Sequence, residues 1–349
     1  MKLANLSNVL RTRRGRSVGA LLVVASLSLA FVLLSPPRKW QANQLPHNFR
    51  IAMLTGENSL SKPLTQAAAQ AAITGWNAAI TGDSSWVGAA PFTSTVNNNL
   101  GNQGFVNDGL STISFEDPQN MLATGVLAAT TTGFYTTSQT EVKNGTTFFR
   151  ITDSDVVCNN GVDFTSFADA DASGANGTQY DLGGILIHEV GHAIGFGHAP
   201  GEVTTMFASV GAQDFRKRDL DDDDITGGRF VYVSGYHPVT FPAGNQLVAD
   251  STFLGLSTTT FQAGSLVLIR IAVTDQNKNT ATGASVTVQV TTPAGATLSG
   301  TGTVNASGLI TFNTGAAQHG TYNTTVTNIT KAGSTFNPNL GKRTDSATF

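Results

Sequence analysis

Three histidines and a glutamate lie close together in the segment from His188 to His198, which reads H-E-V-G-H-A-I-G-F-G-H. Residues four apart on an α-helix share a face, so the imidazoles of His188 and His192 can converge on one metal ion. The Glu189 carboxylate stands beside them and can reach a water molecule next to the metal, as a general base must. The spacing therefore predicts a metal site with hydrolytic chemistry.

His198 can be a third ligand only if the helix ends before it. In an uninterrupted helix, His198 would be rotated about 240° from His192 and would lie about 9 Å further along the axis. Gly195 and Gly197 permit a break, and Gly195 stands where a left-handed C-cap would turn the chain back. Three histidines leave one tetrahedral position of zinc open, which is typical of catalytic zinc sites. We therefore predict a zinc ion held by His188, His192 and His198.

The helix that positions these residues is predicted to begin at Leu182, where Asp181 can cap its N-terminus. Leu186, Val190 and Ala193 would then form a buried face, and the two histidines would occupy another. The metal-binding residues are thus expected on a helix that is buried along one side.

The remaining elements of this region are a mixture of helices and strands. Phe49 to Leu54 and Thr146 to Val157 are strand candidates, and Pro63 to Ile80 is an alanine-rich helix. A further helix is predicted to start in the acidic run Asp221 to Asp224 and to pass through Phe230 to Tyr232. A calcium site or a solvated acidic patch are the alternatives for that run. The predicted class is α+β.

Beyond His237 the pattern changes to short alternating strands, such as Val267 to Val273 and Val286 to Val290. This predicts an all-β sandwich over residues 247–349, and Pro293 to Ala296 and Ser307 to Ile310 resemble bacterial immunoglobulin-like modules. No residue there suggests chemistry, so binding to a surface or polymer is its candidate role. The predicted division is an export signal or anchor at 1–35, linkers at 36–47 and 237–246, and a catalytic domain at 48–236.

Composition and charge exclude some classes of function. Lys and Arg number 20 against 23 Asp and Glu, and no basic stripe follows the N-terminus, so a nucleic-acid partner is not expected. Cys158 is the only cysteine, which excludes a disulfide within the chain. A buried hydrophobic role is expected for Cys158, with a metal ligand or a redox site as the alternatives.

The N-terminal segment predicts export. Five basic residues between Lys2 and Arg16 precede an uncharged run from Val18 to Leu34. Either a cleaved signal, with Ser28 to Ala30 as the candidate cleavage site, or a retained membrane anchor fits this pattern. In both cases the chain from Trp40 onward is expected outside the cytoplasm, secreted, periplasmic or on the cell surface.

The segment from His188 to His198 resembles the metal-binding motif of the metzincin clan and, within that clan, the matrixin-like zinc proteases. Met206 stands where the methionine turn of the clan follows the third histidine. Leu220 to Tyr232 resembles the matrixin C-terminal helix, and Ser154 to Val157 resembles the edge strand along which matrixins place their substrate. The resemblance covers about residues 48–235. It implies a twisted mixed sheet, an active-site helix and a C-terminal helix.

Several features depart from the resembled pattern. Ala208 stands where an astacin-type tyrosine ligand would be, and no pro-segment cysteine is present. The loop before the catalytic helix lacks extra histidines, so a single zinc is expected. Asp169 and Asp171 have the spacing that opens a calcium loop, but Tyr180 at its twelfth position excludes an EF-hand. A matrixin-like calcium site and a flexible surface loop are the two interpretations of that segment.

The function predicted from these features is a zinc-dependent endopeptidase acting on protein or peptide substrates, with Glu189 as general base. Two other interpretations are kept. The chain could be a surface adhesin with an inactive protease-like domain, or a hydrolase of a non-peptide amide.

Overall fold

The computed structural model describes residues 2–5, 31–57, 59–137, 139–165, 178–199, 204–212, 214, 216–236, 246–256, 264–275, 279–306 and 308–349. Two hydrophobic cores form within these residues. One is built between Phe31 and Val233, and the other between Leu247 and Ile329. Of the predicted linker at 237–246, residues 237–245 lie outside the described residues.

The first core combines strands with three α-helices among the described residues. The strands are β1 Lys2–Asn5, β2 Arg38–Lys39, β3 His47–Ala52, β4 Phe92–Asn97, β5 Thr112–Ser114, β6 Val126–Phe134, β7 Thr140–Lys143, β8 Thr146–Cys158, β9 Phe164–Thr165 and β10 Tyr180–Asp181. The helices are α1 Lys62–Thr81, α2 Leu182–Ala193 and α3 Asp222–Tyr232, with short 3-10 helices at Ala42–Gln44 and Arg216–Arg218. The α+β class predicted for this half is confirmed.

The main sheet is mixed, with the strand order β1-β6-β8-β5-β3-β4, and β2 and β7 also pair with β8. Strands β3, β4, β5 and β8 run parallel, whereas β6 runs antiparallel to β8. The prediction that Ser154 to Val157 form an edge strand is wrong. Val156 pairs with Thr130 of β6 on one side and with Ile113 of β5 on the other, so β8 is an interior strand there. Its continuous run of buried residues is typical of such a strand.

Helix α1 packs against the two other helices through a buried stripe that repeats every three to four residues. The stripe consists of Thr65, Ala68, Ala69, Ala72, Ile73, Trp76, Ala79 and Ile80. The small alanines allow close approach of the helices, and the Trp76 indole N–H donates to the carbonyl of Ile187 in α2 at 2.8 Å. The first helix is therefore joined directly to α2, the helix whose sequence holds His188 and His192.

Helix α2 begins where the sequence predicts, because the Asp181 carboxylate accepts a hydrogen bond from the Gly184 N–H at 2.9 Å. All twelve of its residues are buried, not one face only. The sequence predicted only one buried face. The whole helix is buried because the sheet covers α2 on one side and α1 covers it on the other.

Helix α3 starts in the acidic run, as predicted. The Asp221 carboxylate caps it by accepting hydrogen bonds from the Asp223 and Asp224 N–H groups at 2.8 and 3.1 Å. At its other end, the Tyr232 hydroxyl donates to the carbonyl of Ile194 at 2.7 Å, just after α2. Helix α3 is thus tied to the end of α2.

The last residues of the predicted export segment pack into the first core. Phe31 and Leu34 are buried, and the Phe31 ring lies 5.2 Å from the ring of Phe230. Residues 6–30, which hold most of the predicted segment, lie outside the described residues. Among the helices that are described, none is both long and apolar enough to cross a membrane.

The second core is enclosed by two four-stranded sheets. The strands are β11 Gln246–Leu256, β12 Leu266–Asp275, β13 Ser285–Thr291, β14 Thr297–Thr303, β15 Leu309–Ala316, β16 Thr321–Thr330, β17 Thr335–Gly341 and β18 Thr344–Thr348. The sheet orders are β15-β12-β11-β17 and β14-β13-β16-β18. Every second residue of β13 from Val286 to Val290 is buried, as the predicted alternation requires. The all-β character of this half is confirmed for its described residues.

Candidate metal centre

The structure brings His188, His192 and His198 together. Their ligand nitrogens lie within 4.8 Å of one another, and the Nε2 atoms of His192 and His198 are 3.1 Å apart. Two nitrogens bound tetrahedrally to one zinc ion would be about 3.4 Å apart, given Zn–N bonds of about 2.1 Å. The observed spacing therefore fits one ion held by three imidazoles.

The break that delivers His198 occurs at the predicted place. Helix α2 ends at Ala193, and Gly195 has φ = 120°, in the left-handed region that disfavours side chains. A Cβ at this position would also overlap the backbone carbonyl oxygen of Arg38. Leu34 and Val32 hold the turn from outside through hydrogen bonds with the backbone of Gly195 and Gly197 at 2.9 and 2.8 Å.

Backbone carbonyls fix the orientation of two of the rings. His188 Nδ1 lies 2.6 Å from the carbonyl oxygen of Thr205, and His192 Nδ1 lies 2.7 Å from that of Phe196. Because a carbonyl oxygen can only accept, each Nδ1 carries the proton and each Nε2 presents a lone pair to the cluster. His188 Nε2 is buried and has no hydrogen-bond partner. A buried lone pair without a donor is a reason to expect a cation there.

The surroundings keep the imidazoles neutral, as metal ligands must be. Burial lowers the pKa of His192 to about 3 and that of His198 to about 4. Burial and the neighbouring His192 place the pKa of His188 well below its ordinary value. The positive charge of Lys217 lowers the pKa of all three.

Glu189 is fully buried next to the histidines. Thr130, on β6, donates a hydrogen bond from its hydroxyl to Glu189 Oε2 at 2.6 Å, and Glu189 Oε1 has no partner. Burial raises the pKa of Glu189 to about 8, against the opposing effects of the Thr130 hydrogen bond and the Lys217 charge. A cation held by the histidines would favour the carboxylate form. Sequence reasoning missed Thr130, which is 59 residues away from Glu189 along the chain.

Met206 lies against the metal-binding helix, at the position predicted for the methionine turn. Its side chain contacts Gly191 so closely that a Cβ on that glycine would overlap the sulfur. The turn around Met206 is held by Thr205, whose N–H donates to Asp224 Oδ2 at 3.0 Å. Met206 therefore supports the helix between its two histidines.

The other candidate residues stand apart from this centre. Asp169 and Asp171 lie outside the described residues. Cys158 is buried in the first core, where burial raises the pKa of its thiol well above the ordinary value. That environment agrees with the small hydrophobic role expected for it.

A buried helix carrying two histidines, a third histidine beyond a glycine turn and a buried glutamate define a metallohydrolase type of site. The family model named Matrixin matches residues 39–233, more than half of the chain. This chain belongs to the matrixin family. Membership implies a catalytic zinc ion, and the three-histidine cluster fits one.

Two curated relatives match shorter segments. Metalloendoproteinase 5-MMP of Arabidopsis thaliana is 40% identical over 55 residues, which are 16% of this chain and 15% of the relative. Metalloendoproteinase 2-MMP of the same organism is 36% identical over 52 residues, 15% of this chain and 14% of the relative. The chain thus spans about a seventh of the length of these relatives.

Proposed function

We propose that this chain is a zinc-dependent endopeptidase in which Glu189 is the general base. The observation that supports this most strongly is the convergence of three neutral histidine nitrogens beside a buried glutamate. Among the described residues, neither the three histidines nor Glu189 form an ion pair that stabilises the fold. A buried carboxylate that forms no ion pair and lies next to a metal site is the arrangement that general-base hydrolysis needs.

His188, His192 and His198 would hold the zinc ion. When bound, zinc supplies Lewis acidity, which polarises a substrate carbonyl and acidifies a water molecule. The Glu189 carboxylate, oriented by the Thr130 hydroxyl, accepts a proton from the attacking water and transfers it to the leaving amine. The peptide bond is thereby hydrolysed with no covalent link to the protein.

The substrate strand is proposed to add to β6, since β8 is an interior strand. Thr130 links β6 directly to Glu189, so a peptide along this strand would pass the catalytic base. β1 of this chain pairs in parallel with β6 between Val126 and Thr130, which supports the ability of this backbone to accept a strand. If the N-terminal segment is cleaved off as a signal, β1 is removed with it. That side of β6 is then free to pair with a substrate strand.

We also propose that the protein is exported, with the domain division at 48–236 and 247–349. The arginine-flanked run from Val18 to Leu34 supports export, and N-terminal sequencing of the mature protein tests it.

An immunoglobulin-like sandwich is proposed for the second half, because its two four-stranded sheets share one core. Binding of that half to a surface or polymer, and calcium binding by Asp169 and Asp171, remain proposals.

The adhesin alternative is not favoured, because the chain retains Glu189 and all three histidines, the residues that hydrolysis requires. Activity on a non-peptide amide differs from the main proposal only in the substrate, and a substrate profile separates the two.

Glu189→Gln and His192→Ala test the proposed roles. Losing a general base typically costs about 10²–10⁴ in rate, so the Gln variant should keep near-stoichiometric zinc and turn over very slowly. The His192→Ala variant should lose zinc, because the site needs three imidazoles. Elemental analysis after dialysis, beside a quenched-fluorescence peptide assay, separates the roles. A zinc-loaded Glu189→Gln protein with nearly wild-type activity would refute the mechanism.

A further inference from the structure

Lys217 is a buried lysine that the proposed mechanism does not use. It lies in the 3-10 helix Arg216–Arg218, and only 3% of its surface is exposed. Burying an ammonium group is costly unless its donors are bound. Its Nζ donates to the carbonyl oxygens of Thr204 at 3.3 Å, Thr205 at 2.9 Å and Phe207. The ammonium group is therefore satisfied by the turn that contains Met206.

One of these carbonyls also touches a metal ligand. The Thr205 oxygen accepts from Lys217 Nζ and from His188 Nδ1, which lies 2.6 Å away. The direction of this carbonyl decides the orientation and the tautomer of the His188 ring. Lys217 is thus one hydrogen-bonded atom away from the first of the three histidines.

The neighbouring residue ties the same short helix to the start of α2. Arg218 donates two hydrogen bonds to the Asp181 carboxylate, at 2.9 and 3.0 Å, and this pair is buried. Asp181 is the N-cap of α2. Lys217 and Arg218 therefore connect the methionine turn to the beginning of the metal-binding helix, so the ammonium group is held in a fixed place.

We propose that Lys217 is a positioning residue of the metal centre, which holds the Thr205 carbonyl in the direction that fixes His188. The inference rests on the proposed zinc function. Two effects of the lysine oppose each other, because its charge repels a cation whereas its hydrogen bonds order a ligand. The proposal states that the ordering effect is the larger one.

Zinc affinity decides between these effects without any turnover. Lys217→Met removes the charge and the donors at similar length, and replacing a partner of a metal ligand typically costs about 10- to 100-fold in metal affinity. Because Lys217 acts on His188 through the Thr205 carbonyl, we expect a loss at the lower end of that range, about 10-fold, in competition with a chromogenic chelator. Lys217→Arg should recover part of it. With cobalt(II) in place of zinc, the visible absorption bands should shift in Lys217→Met because the His188 ring turns.

Lys39→Met is the matched control. Lys39 is also buried, but its Nζ binds Glu141 at 2.6 Å, outside the metal centre. The Lys39→Met substitution should lower the melting temperature and leave zinc affinity unchanged. Unchanged or tighter zinc binding in Lys217→Met, or an equal loss in Lys39→Met, would overturn the proposal. If Lys217→Met does not fold, Lys217→Gln takes its place under the same criteria. Because no measurement needs peptide hydrolysis, a failed peptidase assay would leave this result intact.

Discussion

Thr130→Val removes the hydroxyl that holds the proposed catalytic base and leaves the shape of the side chain nearly unchanged. The bond to Glu189 Oε2 is 2.6 Å long and buried, and hydrogen bonds to charged groups contribute about 1.5–3 kcal/mol. If this energy serves to orient the carboxylate in the transition state, kcat/KM should fall about 10- to 100-fold, since about 1.4 kcal/mol is tenfold. The variant should retain zinc, because both hydrogen bonds of the Thr130 hydroxyl among the described residues go to Glu189 and neither goes to a histidine.

The pH profile gives a second, independent measure. The Thr130 hydrogen bond lowers the pKa of Glu189, so its loss should raise that pKa. A general base works when it is deprotonated, and the acidic limb of kcat/KM should therefore move to higher pH. Thr131→Val, on the same strand, is the matched control and should change neither quantity. Activity within twofold of wild type, or a limb that moves to lower pH, would refute the assigned role of Thr130.

Two further predictions concern stability and the second half of the chain. Removing residues 247–349 should leave hydrolysis of small peptides intact. The ion pair between Lys342 and Asp219, 2.7 Å long with side chains 33% and 38% exposed, would be lost, which should lower stability by at most about 1 kcal/mol. A folded but inactive truncated enzyme would contradict this. Burial lowers the pKa of His47 to about 4, so the folded state binds fewer protons than the unfolded state between about pH 6.5 and pH 4. Stability should therefore fall as the pH decreases through that window. In urea unfolding, His47→Gln should reduce the free energy of unfolding lost across the window by up to about 3 kcal/mol. The same pH dependence of stability in the variant and the wild type would contradict this prediction.

The parts of the site that sequence reasoning could predict are those determined by local geometry. The i, i+4 spacing of His188 and His192 follows from helix periodicity, and the Asp181 cap and the Gly195 turn follow from backbone preferences of single residues. Helix α3 was also predictable, because an acidic first turn complements the helix dipole. Each of these features depends on neighbours within a few residues.

The parts that could not be predicted depend on contacts between distant segments. The pairing of β8 with both β5 and β6 determines which strand is interior, and a single sequence does not state that pairing. Thr130 reaches Glu189 only because β6 lies beside α2, and nothing in its neighbourhood marks it among many other threonines. The burial of Lys217 could not be predicted either, because a lysine in a polar segment is normally exposed to solvent.

Gly191 shows how one residue of a local motif can report a distant contact. It lies within α2, where glycine is less favourable than alanine by about 1 kcal/mol, so helix propensity gives no reason for it. A Cβ there would overlap the Met206 sulfur and would lie 2.8 Å from the Trp76 ring. A larger residue would force the Met206 side chain and the Trp76 ring to move, which would disturb the packing of α2 against the methionine turn and α1. The glycine is therefore required by the packing beneath the metal centre, and its position between His188 and His192 ties the ligand spacing to that packing.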